Sequence, residues 1–391
     1  MSMDYTSVLS KRAQDIKPSG IRKFFDMLEE MKDVVALTVG QPDFNTPWHI
    51  REAGITSLEK GKTYYTSNAG TLELREELSR YLSRRFSLSY DAKSEIIVTV
   101  GGSEAIDLAI RATVDPDDEV ILPVPAFVCY QPIVHLASGK VVEIPLKEEN
   151  NFRLTADELR AAITDKTKLL ILPFPANPTG AIMEKEDMEA IAEVLRGTDI
   201  LVLTDEIYSE LTYGKKHFSF ASIPDMRERT IVVNGFSKAF AMTGWRLGFT
   251  AAPAPITKQM LKIHQFAIMS APTTAQFAAI EALREGDEDI EEMKAEYNRR
   301  RTHLVERLRT MGIGCFTPEG AFYVFPNISG FGLSSEEFCE KLLREYGVAI
   351  VPGTAFGDCG EGFARISYAY SMKHIDQALD RMEKMIKDLK K

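Results

Sequence analysis

Between residues 94 and 252 the chain exchanges short apolar runs for helical stripes again and again, and this alternation restricts the fold more than any other feature. The runs occupy 96–100, 120–123, 169–173, 200–203 and 231–233 and show no regular polar alternation. Strands of that kind are covered on both faces. Between two of them, Met188, Ile191, Ala192 and Leu195 fall on one stripe of a helix. Strand, helix and strand in repetition predict an α/β domain with a mainly parallel sheet sandwiched by helices. Leu74, Leu78, Tyr81 and Leu82 form another amphipathic stripe ahead of this region, with Thr71 placed to cap it.

The last third has a different pattern. A long polar helical stretch, dense in charge from 281 to 309, leads into apolar segments at 321–326, 348–352 and 363–369, and Ile375, Leu379, Met382 and Ile386 mark a final helix. These elements predict a smaller α+β domain completed by the N-terminal segment. A chain of 391 residues suits such a pair. The expected division is a large domain at 47–285 and a small domain built from 1–46 with 286–391, the boundary lying inside the long helix.

A formal net charge of −10 argues against a nucleic-acid partner, because such partners are met by a basic face. No stretch approaches the roughly 18 apolar residues of a membrane-spanning helix, so no membrane is expected. Residues 1–11 lack the apolar core of a signal peptide, which makes the cytoplasm the expected location. Cys129, Cys315, Cys339 and Cys359 form no C-x-x-C pair and the histidines are scattered, so free thiols and no metal site are expected.

The residues that carry chemistry follow the strands. Lys238, preceded by Ser237, lies just past the run at 231–233, at the strand end where open α/β sheets place ligands. A lysine there forms a Schiff base with an aldehyde once its ammonium loses a proton, which apolar or cationic neighbours promote. Arg246 supplies such a charge and can bind a phosphate. Taken alone, Lys238 reads more readily as a solvated loop residue, and it is the surrounding residues that overturn that reading. Asp205 follows the run at 200–203 so closely that it is expected to be buried, and a buried carboxylate wants a cation such as a pyridinium nitrogen. A helix N-cap is the competing reading of Asp205. Tyr208 and Asn177 offer donors to a ring oxygen, although Asn177 stands in what is otherwise a plain turn. The amides of Gly102, Ser103 and Glu104 open a helix after a strand, a ready seat for phosphate. Phe127 can stack on a planar cofactor or belong to the core. Arg365 interrupts an apolar strand and suits a substrate carboxylate or an internal salt bridge.

Taken in order, these pieces resemble the class I/II aminotransferases of the fold-type-I pyridoxal-phosphate superfamily. The resemblance runs from the segment at 19–25 and Gly40-Gln-Pro-Asp-Phe44 through Asn177-Pro-Thr-Gly180 and Asp205-Glu-Ile-Tyr208 to Ser237-Lys238 and Arg365. It implies pyridoxal 5'-phosphate as cofactor, with Lys238 as the lysine bonded to it and later the general base. Asp205 would pair with the pyridine nitrogen, Asn177 and Tyr208 would hold the ring oxygen, and Phe127 would stack on the ring. Ser237, Arg246 and the amides from Gly102 to Glu104 would cradle the phosphate. Tyr65 would reach the phosphate of a partner subunit, implying a homodimer with shared active sites. Gly40, Asn177 and Arg365 would clamp the substrate's α-carboxylate. Many relatives carry a serine three residues before the lysine, where this chain has Gly235, so the cradle is expected to lack one hydroxyl.

Within that family the segments at 19–25, 41–44, 94–100, 205–213 and 320–325 are most similar to the N-acetyl-diaminopimelate aminotransferases of lysine biosynthesis in Gram-positive bacteria. The expected reaction moves an amino group between an amino acid and a 2-oxo acid, with N-acetyl-L,L-diaminopimelate and 2-oxoglutarate as the named pair. An aromatic or broad-range aminotransferase is the alternative. A carbon–sulfur lyase is disfavoured because Tyr208 stands where those relatives carry histidine. A non-enzymatic regulator would need a DNA-binding module ahead of Gly40.

Overall fold

The computed structural model describes residue 3, residues 5–18 and residues 33–390. The segment at 19–25, quoted above for the resemblance, lies outside the described residues. A seven-stranded sheet dominates. Its members are β2 (Ile96–Thr99), β3 (Glu119–Val124), β4 (Lys140–Pro145), β5 (Thr167–Leu172), β6 (Leu201–Asp205), β7 (Thr230–Gly235) and β8 (Gly248–Ala251), in the spatial order β2-β8-β7-β6-β5-β3-β4. Only β8 runs antiparallel to its neighbours. Every residue of β2, β7 and β8 is buried, as expected of strands with helices on both faces.

The helical stripes match this role. In Lys185–Leu195 the four buried residues are the expected Met188, Ile191, Ala192 and Leu195. The helix Leu72–Phe86 starts at Thr71, whose hydroxyl accepts from the Leu74 amide at 3.3 Å, and it buries Leu74, Leu78, Tyr81 and Leu82. Each large apolar side chain removed from water in this way contributes about 1.5–3 kcal/mol.

The C-terminal third holds a separate apolar cluster, in which Val35 and Leu37 pack with residues from Met293 to Ile386. Here β1 (Val35–Ala36) pairs in parallel with β10 (Val348–Ala349), and an antiparallel sheet orders β11 (Val351–Pro352), β12 (Ala364–Ser367) and β9 (Tyr323–Val324). The final helix, Met372–Leu389, buries Ile375, Leu379, Met382 and Ile386 on its inner stripe. One expectation is corrected. The long charged helix is two helices, Thr273–Glu285 and Asp287–Thr310, broken at Gly286. A Cβ at 286 would stand 2.6 Å from the Ala282 carbonyl oxygen and 2.9 Å from Phe240, so only glycine lets the first helix turn this close to the core.

Among the described residues, no helix is long and apolar enough to cross a membrane, and no group of histidine, cysteine and carboxylate side chains could hold a metal. All four cysteines are free.

Candidate active site

Register places the chemistry. Gly248, the first residue of β8, pairs with Thr99 at the end of β2 and with Gly235 at the end of β7. The carboxyl ends of β2, β6 and β7 therefore open on one cavity of about 370 Å³, the position at which open α/β sheets bind ligands. Gly40, Gly102, Ser103, Phe127, Asn177, Asp205, Tyr208, Ser237, Lys238, Arg246 and Arg365 all line it.

Lys238 stands three residues beyond β7, on a turn held by the buried Phe236, Ala239 and Phe240. Its Nζ donates to the Gly40 carbonyl at 2.5 Å. Burial first, then the guanidiniums of Arg365 and Arg246, lower its pKa to about 8 despite the opposing pull of Asp205. Such an amine is close to nucleophilic at neutral pH, which a solvated loop lysine is not.

Asp205 ends β6 and is buried. Its Oδ2 accepts from the Tyr130 hydroxyl at 2.7 Å and its Oδ1 from the Ile207 amide at 3.2 Å. Burial raises its pKa against those two bonds. No helix follows it, which removes the N-cap reading, and no basic side chain pairs with it among the described residues. A carboxylate so placed stabilises a cation brought into the cavity.

Arg365, on β12, is buried beneath the opposite wall. Nη1 donates to Asn177 Oδ1 at 2.9 Å and Nη2 to the Thr38 carbonyl at 2.5 Å, while the guanidinium lies 4.7 Å from the Tyr323 ring centre and 4.8 Å from that of Phe356. Among the described residues its Nε has no hydrogen-bond partner and no carboxylate pairs with it, so the internal salt bridge is not formed. An anion with two oxygens fits the remaining valence.

At the other end, the helix Gly101–Thr113 begins directly after β2. Gly248 packs so tightly beneath it that a Cβ would lie 2.6 Å from Gly101 C and 2.8 Å from Gly102 N. Arg246 covers Gly101, and Ser237 faces the same space. Positive helix end, guanidinium and hydroxyl converge as a phosphate seat requires. The Glu104 side chain is directed elsewhere: one oxygen accepts from the Val100 amide and the other lies 2.6 Å from Nδ1 of the buried His264. Gly235 now has a reason. A side chain there would place its Cβ 3.0 Å from both Leu247 O and Gly248 Cα, and Ile207 fills the nearby space.

Phe127 lines the cavity edge-on to Tyr130, with ring centres 6.3 Å apart. Tyr65 lies outside the cavity lining and is 79% exposed, so one chain alone does not bring it to the site. Sequence reasoning missed Tyr130 and Tyr323. Tyr130 follows Phe127 by three residues and opens the helix Tyr130–Leu136, so its nearness to the strand end was available as a signal. Tyr323 stood in a segment read as an apolar stretch and as a point of family similarity, with no role given to its hydroxyl.

The cavity thus joins a carboxylate without a cation, an amine of lowered basicity and an anion seat. A pyridine ring bearing an aldehyde and a phosphate arm answers all three. The comparisons with known proteins agree. Residues 32–382 match the family described as aminotransferase class I and II. A Bacillus subtilis relative, named as an aminotransferase with no substrate stated, is 54% identical over 97% of this chain and 99% of its own. An aspartate aminotransferase of Pyrococcus abyssi is 47% identical over 98% and 99% of the two chains. A Bacillus subtilis relative named for N-acetyl-LL-diaminopimelate is 44% identical over 96% and 95%. The solved structure of an aromatic aminotransferase from Pyrococcus horikoshii superposes with a TM-score of 0.90 at 46% identity, covering 94% of this chain and 99% of that one. A match that spans the large sheet, the strands of the C-terminal third and the cavity lined from both means that the chain belongs to the pyridoxal-phosphate-dependent class I and II aminotransferases, with the fold-type-I architecture.

Proposed function

We propose that this aminotransferase takes its amino group from N-acetyl-L,L-diaminopimelate and passes it to 2-oxoglutarate, or runs the reverse, in lysine biosynthesis. The observation that carries the transaminase chemistry is Lys238, an amine of depressed pKa held between Asp205 and Arg365 in one cavity. The longer substrate is favoured by a second cavity of about 530 Å³, which adjoins the first at Phe127 and is lined by Lys17, Gln131 and His135. It has room for an extended side chain with a polar end. The aromatic walls at Phe127, Tyr130 and Tyr323 favour the second reading, an aromatic or broad-range enzyme.

Bound pyridoxal phosphate supplies an aldehyde and a ring that withdraws electrons when its nitrogen is protonated. In this reading Asp205 keeps that nitrogen protonated, and Tyr130 holds Asp205 in line. Asn177 and Tyr208 hold the ring oxygen, and Phe127 covers the ring face. Ser237, Arg246 and the amides of Gly102, Ser103 and Glu104 hold the phosphate. Arg365, Asn177 and Gly40 orient the substrate's α-carboxylate. Lys238, once free, would take the proton from the substrate's α-carbon and deliver it to the cofactor's former aldehyde carbon, on the far side of the amino nitrogen.

We also place the boundary between a large domain at 47–285 and a small one at 1–46 with 286–391 beside Gly286. The working unit is taken to be a cytoplasmic homodimer. Tyr65 and Phe266, 79% and 87% exposed, are side chains that a second copy would cover, and Tyr65 would then complete the partner's phosphate seat.

The test is a half-reaction screen in which cofactor-loaded protein meets single amino acids and loss of its visible absorbance is timed. N-acetyl-L,L-diaminopimelate should react at least tenfold faster than phenylalanine, tyrosine or aspartate. The reverse order would overturn the substrate assignment while leaving the reaction class intact.

A further inference from the structure

Tyr208 and Tyr323 meet hydroxyl to hydroxyl at 2.8 Å, both buried. Among the described residues, each hydroxyl's hydrogen-bond partner is the other. Tyr323 cannot swing away. Its ring lies edge-on to Tyr208 at 5.8 Å and 4.9 Å from the centre of Phe322, and the Arg365 guanidinium covers its face at 4.7 Å. Its hydroxyl also abuts Gly40, where any Cβ would collide with it.

A tyrosine hydroxyl has one proton to give and lone pairs to receive with. If Tyr208 gives its proton to the cofactor's ring oxygen, the only proton left for the tyrosine pair is that of Tyr323. We infer that Tyr323 is a positioning residue: its hydroxyl donates to Tyr208, aiming and strengthening the bond from Tyr208 to the ring oxygen. The inference rests on the reading of Tyr208 given above. Chained hydrogen bonds polarise one another by roughly 10–30% per bond. A donor at the ring oxygen stabilises its anionic form, and so lowers the pKa of the proton shared with the nitrogen that bonds cofactor to Lys238. Weakening the chain must raise that pKa.

The visible absorbance of the cofactor-loaded protein, titrated with pH, reads this directly and does not depend on turnover. Tyr323→Phe keeps the ring beneath Arg365 and removes one oxygen. Its midpoint should rise by about 0.3–0.5 pH unit. Tyr208→Phe should raise it further, and the double variant should titrate like Tyr208→Phe alone. An unchanged or lowered midpoint in Tyr323→Phe, or additive shifts in the double variant, would overturn the relay. An unmoved midpoint in Tyr208→Phe would instead overturn the placing of Tyr208 at the ring oxygen, so the two failures are distinguishable.

Discussion

Asp205→Asn keeps the shape of the last residue of β6 and removes only its charge. In the cofactor-free protein that charge is a cost. Burial holds the carboxyl's pKa above its ordinary value of 3.8, against the bonds from Tyr130 and Ile207. A carboxyl whose folded pKa is raised binds its proton more tightly in the folded state. Its ionisation therefore removes stability as pH climbs from the ordinary value through the raised one. The cofactor-free variant should consequently melt no lower than the parent at neutral pH. With cofactor the sign reverses, because removing one member of a buried pair of opposite charges costs about 3–5 kcal/mol. At 1.36 kcal/mol per decade, proton removal from the substrate should slow roughly 10²- to 10⁴-fold. Stopped-flow single turnovers at saturating cofactor give the rate, and scanning fluorimetry gives the melting point. A variant with full cofactor occupancy and a rate within tenfold of the parent would refute the pairing of Asp205 with a ring cation.

Other outcomes follow from the same geometry. Lys238→Ala should lose both the visible absorbance and turnover, and transamination by the variant would end the assignment. The folded pKa of Lys238, about 8, is below its ordinary 10.5, so between those values the folded state holds fewer protons than the unfolded one. This group therefore adds stability as pH rises from 8 towards 10.5, and capture of added pyridoxal phosphate should accelerate up to about pH 8 and then level. A capture rate flat from about pH 6 to 9 would contradict the depressed basicity. Arg365→Lys replaces a planar fork by a point charge, so KM for the amino donor should rise about 10- to 100-fold with a smaller loss in kcat. Gly235→Ser should not tighten cofactor binding, since its Cβ would press on Leu247 and Gly248 at 3.0 Å; tighter binding in equilibrium dialysis would show that the strand can yield.

Local pattern was enough for five strands of the large sheet and two of its helices, because strands buried on both faces cannot hide their apolar runs and Thr71 caps its helix through a contact three residues away; the largely uncovered edge strand β4 and the short antiparallel β8 were not read. Order along the chain was also enough to pick out Lys238, Asp205, Asn177 and Arg365, since each follows or interrupts an apolar strand, and charge or amide there is otherwise costly. Distances across the chain were not legible. Whether Arg365 met a carboxylate or stayed available, whether Asp205 capped a helix or faced a cavity, and whether 281–309 was one helix depended on neighbours tens to hundreds of positions away. Tyr323 lies 115 residues from Tyr208 and yet touches its hydroxyl. Gly235 looked like a missing serine until Gly248 and Leu247 were found packed against it. Such contacts arise from strand order and sheet register, which are set when the whole core closes, and no single segment carries that information.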